Sequence, residues 1–143
     1  MHNDVMTRYV IDAPAAIRLA REKRHVHEAH KLVAPNLLRS QALSLVYQAA
    51  RRRELDDAEA HAILDAITTT RIRLLGDRVS RAVAWQVAER FDWDDTTYAE
   101  YVAVTRLQAD ALITLDAELA AKVDGFVTIA PFEALFTPSP AAS

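Results

Sequence analysis

The chain of 143 residues carries 17 Lys and Arg against 20 Asp and Glu, a formal net charge of -3, which argues against coating nucleic acid through bulk charge and leaves only focused contact with phosphates. The absence of cysteine removes thiolate zinc sites, iron-sulfur clusters and cysteine nucleophiles and suits a reducing compartment; two glycines alone cannot write a P-loop or a dinucleotide fingerprint. No apolar run approaches the roughly 20 residues that span a bilayer, and the start "MHNDVMTR" lacks a secretion signal, so a soluble, cytoplasmic protein without membrane contact is expected.

"RYVID" reads as a short buried strand, β-branched and aromatic between polar ends, and a helix should follow from about Pro14 to Lys23. "RHVHEAHKLVAP" is polar and then briefly apolar, and Pro35 sets the first turn of a helix from about Asn36 to Arg53. Asp56 and Asp57 cap a further helix carried by Ala60, Ile63, Leu64 and Ile67 to about Thr70. "RIRLL" is β-compatible, and Asp77 then opens a helix with Val79, Val83, Val87 and Phe91 inside. The spacing predicts another helix from Asp94 to Gln108, its acidic first turn suited to the positive end of the dipole. "DALITLDAELAAKV" repeats the opening grammar, an apolar run ending in Asp116 before a helical pattern. "GFVTIAP" reads as a last strand, Phe132 to Phe136 as a turn of helix, and residues 137–143 as a disordered tail. Strands alternating with helices imply one α/β domain over residues 1–136, a three-layer sandwich with a short parallel sheet of four to five strands flanked by helices.

Ligands of an open parallel sheet collect at the carboxyl ends of its strands. Asp12 and Asp116 end two strands there, and Asp95 opens a helix that starts from the same edge if it packs as a crossover. Each acid alone is equally well a helix cap. Three that converge would repel unless one took up a proton or a divalent cation neutralised them, and hard oxygen ligands suit Mg²⁺ or Mn²⁺.

In "YVIDAPAAIRL", "LVAPNLLRSQALSLVYQ", "DDTTYAEYVAV" and "ADALITLDAELA" the chain resembles the PIN-domain ribonucleases, and among them the VapC toxins of toxin-antitoxin modules, over nearly its whole length. The last stretch, an apolar strand closing in Thr-x-Asp before a helix, is the most specific. Residue by residue, the resemblance makes Asp12, Asp95 and Asp116 metal-binding acids and Gln41 the occupant of the position where the family carries a glutamate; Pro14 stands where it carries a hydroxyl. Asp94 and Glu100 lie close enough in sequence to supply the charge that Gln41 lacks, and Thr114 is placed to hydrogen-bond a carboxylate or a water. What the resemblance implies is Mg²⁺- or Mn²⁺-dependent hydrolysis of RNA phosphodiester bonds, the cation polarising the phosphate and lowering the pKa of a bound water. It also implies a VapB-like antitoxin and a homodimer as partners.

Arg18 and Arg39 flank the acidic edge and are candidates for positioning RNA, against the plainer reading of surface arginines. Trp85, Trp93 and Tyr98 would stack bases if exposed, but at helical spacing they read as core, Tyr98 as packing. The apolar face around Leu37, Leu38 and Val46 exceeds what a small sheet needs and suggests a dimer or antitoxin surface. His25, His27 and His30 crowd one segment, which reads as a solvated loop or helix end before it reads as a metal patch. Two functions stand: a metal-dependent ribonuclease toxin, and a PIN-like module that keeps fold and partner without catalysis. A phosphoacceptor receiver domain is disfavoured, since no acidic pair follows the first strand and no lysine ends a later one.

Overall fold

A computed structural model describes residues 6–138. Of the tail expected at 137–143, residues 139–143 lie outside the described residues, as does most of the amino-terminal segment read for a secretion signal, whereas Thr137 is described and its carbonyl meets His30 Nε2. Four strands, β1 (Thr7–Ile11), β2 (His30–Pro35), β3 (Ile72–Leu75) and β4 (Ala111–Ile113), form one parallel sheet in the order β3-β2-β1-β4. Between and after them run α1 (Ala13–Glu22), α2 (Leu37–Arg51), α3 (Asp57–Thr69), α4 (Arg78–Arg90), α5 (Thr97–Gln108) and α6 (Ala117–Val123), with a 3-10 helix at Phe132–Phe136. This is the three-layer α/β arrangement expected, with four strands.

Strands β1 and β4 are apolar on both faces because helices cover both: Val10 and Ile11 of β1 and Leu112 and Ile113 of β4 are fully buried. Helices α1, α2 and α3 pack on one another, and α4 packs on α5, which lies across β2, β1 and β4. Right-handed crossovers put the first group on one face and the second on the other, since the chain steps outward from β1 to β3 and then returns to β4. Local chemistry agrees with these bounds. Asp12 caps α1 with Pro14 in its first turn, and Lys23 ends it in the left-handed region at φ 54. Reciprocal capping boxes join Asp56 to Glu59 and Asp77 to Ser80.

Four expectations change. The stretch read as polar and briefly apolar contains β2, whose polar first residue His30 is buried against the Tyr9 ring at 5.0 Å between centroids. "GFVTIAP" does not become a fifth strand; it touches β4 through one bridge, Leu112 to Ile129, and Pro131 then ends the pairing. Leu38 and Val46 are spent inside the molecule, and Leu37 packs against the same core. Val79, expected inside α4, is 58% exposed.

Candidate functional site

β1 and β4 are neighbours in register, Ile11 beside Ile113, so the residues that follow them meet at the carboxyl edge of the sheet. Asp12 is buried; its Oδ1 accepts from the Ala15 amide at 2.9 Å and its Oδ2 from the Thr114 hydroxyl at 2.5 Å. The same Thr114 oxygen accepts from the Asp116 amide at 3.0 Å. Asp116 caps α6, its Oδ1 accepting from the Leu119 amide at 3.0 Å, while its Oδ2 accepts from the Tyr98 hydroxyl at 3.1 Å. Asp12, Thr114, Asp116 and Tyr98 therefore form one continuous hydrogen-bonded chain. Burial pushes the Asp12 carboxyl above the usual carboxylate range and the Asp116 charge adds to it, against the Thr114 hydroxyl and the Ala15 and Leu115 amides. The bond to Asp116, then partial burial, raises the Tyr98 phenol.

Gln41 is half-buried in the second turn of α2, and its Oε1 accepts from the Tyr101 hydroxyl at 2.6 Å. Tyr101 is 1% exposed, and burial, with the charge of Asp12 second, pushes its phenol far up while the Ala13 amide pulls it down. A buried tyrosine thus joins Gln41 to the Asp12 end of α1. Glu100, next to Tyr101 on α5, is half-buried, and burial raises its carboxyl.

Asp95 is placed differently. Helix α5 begins at Thr97, and Asp95 lies before it with Oδ1 accepting from the Thr97 amide at 3.0 Å, exposed, touching the edge only through its field on Tyr98. Asp94 is also exposed and shares with Asp95 a separate concavity beside Trp85 and Trp93. Arg18 is turned to other partners: Nε donates to Glu22 at 2.8 Å and the guanidinium sits 4.2 Å over the Phe132 ring. Arg39 is exposed in the first turns of α2 and has no ion-pair partner among the described residues.

Among the described residues no group of three or more His, Asp or Glu side chains is arranged to hold a metal ion. The donor set explains why. A hard dication takes several oxygens, carboxylates foremost, but this edge supplies only Asp12 and Asp116: Asp95 is turned to the Thr97 amide, Gln41 is neutral with its oxygen held by Tyr101, and the remaining side chains that meet the two acids are the hydroxyls of Thr114 and Tyr98. These residues do not fit a tightly bound Mg²⁺.

Beside this edge, between α4 and α5, opens a cleft of about 730 Å³ lined by Arg78, Arg81, Trp85, Thr96 and Glu100. Trp85 is 65% exposed and Tyr98 43%, so neither belongs to the core as their helical spacing suggests. Trp93 does pack inward, stacked on Phe91 at 5.0 Å.

Among the solved structures that share this architecture is the crystal structure of PAE2754 from Pyrobaculum aerophilum, similar over 93% of this chain and 95% of its own, at 25% sequence identity and a TM-score of 0.70. No protein-family model matches the sequence, and no curated protein matches it.

Sequence reasoning missed Tyr98 and Tyr101 as site residues. The signal was present in "TTYAEYVAV": two tyrosines three apart lie on one helix face, but only the sheet order places that face against the ends of β1 and β4.

Proposed function

We propose that this protein is a PIN-like domain, related to the VapC toxins, that binds RNA at the carboxyl edge of its sheet and has lost metal-dependent cleavage. The observation that carries this reading is the hydrogen-bonded closure of the acids: Tyr98 and Thr114 donate to the carboxylates, and Tyr101 holds Gln41. Hydroxyls here occupy carboxylate oxygens that a cation would otherwise take. RNA binding is supported by the adjoining cleft, where Arg78 and Arg81 stand ready for phosphates and exposed Trp85 offers a base-stacking face, and by exposed Arg39 of α2, two residues before Gln41. An antitoxin or a second copy of the chain would use the exposed Leu43 and Tyr47 of α2, one turn apart.

A second reading, an Mg²⁺-dependent endoribonuclease toxin, has one observation in its favour: the charge of Asp116 acts on Asp12, so a single cation would be welcomed electrostatically between them. Incubating total RNA with the chain in EDTA, Mg²⁺ and Mn²⁺ separates the two. The proposal expects RNA that is bound and intact under all three; metal-dependent cleavage that disappears in Asp116→Asn overturns it. The double variant Gln41→Glu, Tyr98→Asp supplies the two missing carboxylates and is expected to gain Mn²⁺-dependent cleavage.

A further inference from the structure

The opposite, amino edge of the sheet holds a pocket of about 380 Å³ where the end of α1, the segment leading into β2 and Arg71 before β3 come together. We propose that this pocket is an anion site that takes the phosphate group of a small phosphomonoester. Its walls carry His25, His27, His30, Lys31 and Arg71, with Glu28 the one acid among its lining residues.

Strand register makes the charge arrangement specific. Arg8 pairs with Lys31, and Leu32 pairs with Ile72, so Arg71 falls beside Lys31 one position earlier on the same face. Three cations therefore stand in a row across neighbouring strands, an arrangement that repels when left uncompensated. At the far end of the row, the Asp110 carboxylate accepts from the Arg8 backbone amide at 2.8 Å, which places a negative charge next to that residue. Lys31 and Arg71 are exposed and have no such partner among the described residues. Arg24, also on the pocket wall, is already spent on Glu133 through two bonds of 2.9 and 3.0 Å.

His27 completes the site as a donor, and His30 holds its ring in place. His27 Nδ1 accepts from the Ala29 amide at 3.0 Å, which leaves Nε2 as the protonated, donating nitrogen. His30 Nε2 meets the Thr137 carbonyl, and its ring packs 5.5 Å from that of His27, so the wall is fixed in place. The carboxyl ends of α1 and α3 face this edge and oppose an anion, but each presents roughly half a charge against the full charges of Lys31 and Arg71. The site stands at the other end of the strands from the acids and does not depend on the function proposed for them.

Calorimetric titration in a phosphate-free, low-salt buffer with ribose 5-phosphate, inorganic phosphate and ribose tests it, using the full chain and the variants Lys31→Ala with Arg71→Ala, and Lys31→Arg. Saturable binding of ribose 5-phosphate, weakened at least about tenfold in the double alanine variant and kept in Lys31→Arg, is expected, with no heat from ribose. Circular dichroism confirms that each variant is folded. Absence of binding to the natural chain, or binding undiminished in the folded double variant, overturns the proposal. Inorganic phosphate binding as tightly as the sugar phosphate overturns the assignment to a phosphomonoester and leaves a site for the free anion.

Discussion

Asp12 is at once a helix cap, a buried charge and the partner of Thr114. Its carboxyl is raised in the folded chain, so folding disfavours the ionised form, and stability is lost as pH rises through that raised value. Asp12→Asn removes this titration. In urea unfolding between pH 4 and 7, the difference between Asp12→Asn and the natural chain should therefore move steadily in favour of the variant as pH rises; a constant difference would contradict the burial argument. Thr114→Val withdraws a donor from a buried carboxylate and an acceptor from the Asp116 amide, a change expected to cost about 1–3 kcal/mol in the same assay at neutral pH. Asp12 and Asp116 were legible in the sequence because each ends an apolar, β-branched run just before a helical pattern, and Thr114 because it stands two residues before Asp116 in the Thr-x-Asp stretch. Tyr98 was not, because a tyrosine at helical spacing is by default a packing residue, and the carboxylate it meets is 18 residues away in sequence.

At the scale of elements, α5 carries most of what the sequence concealed. Tyr101 to Thr105 are all buried in succession, so the helix lacks the polar stripe that would reveal which side faces the sheet. Its start also slips, from Asp94 to Thr97, because Asp95 bonds forward to the Thr97 amide and stays outside the first turn. Strand β2 was hidden for a related reason: a buried histidine opens it, and polar residues before a short apolar run resemble a loop. The cleft between α4 and α5 yields a binding prediction. Alanine at Arg78 and Arg81, both on its wall, should weaken binding of a single-stranded RNA across sequences and lower the salt slope by about one per phosphate contact removed. Trp85→Ala should weaken binding with the slope unchanged, since stacking releases no counterions; fluorescence anisotropy at several salt concentrations reads both.

For the whole molecule, the order β3-β2-β1-β4 is what makes a site of distant residues, since it seats the first strand beside the last and brings Asp12 to Thr114, 102 positions away in sequence, and so to the Asp116 that Thr114 holds. The alternation of strands and helices foretold this layered sheet, and parallel connections leave few other arrangements. What no alternation foretells is which groups satisfy the acids once they meet. That sheet is also the main stabilising core: Leu112→Ala, at a side chain with no exposure, should cost about 2–5 kcal/mol in urea unfolding. The central claim is that the protein's own hydroxyls close the acidic edge to a hard cation, and calorimetric titration of the natural chain with Mn²⁺ tests it most directly. The account predicts no saturable binding in the micromolar range, with such binding appearing in the Gln41→Glu, Tyr98→Asp variant; stoichiometric micromolar binding to the natural chain, abolished by Asp116→Asn, would contradict it.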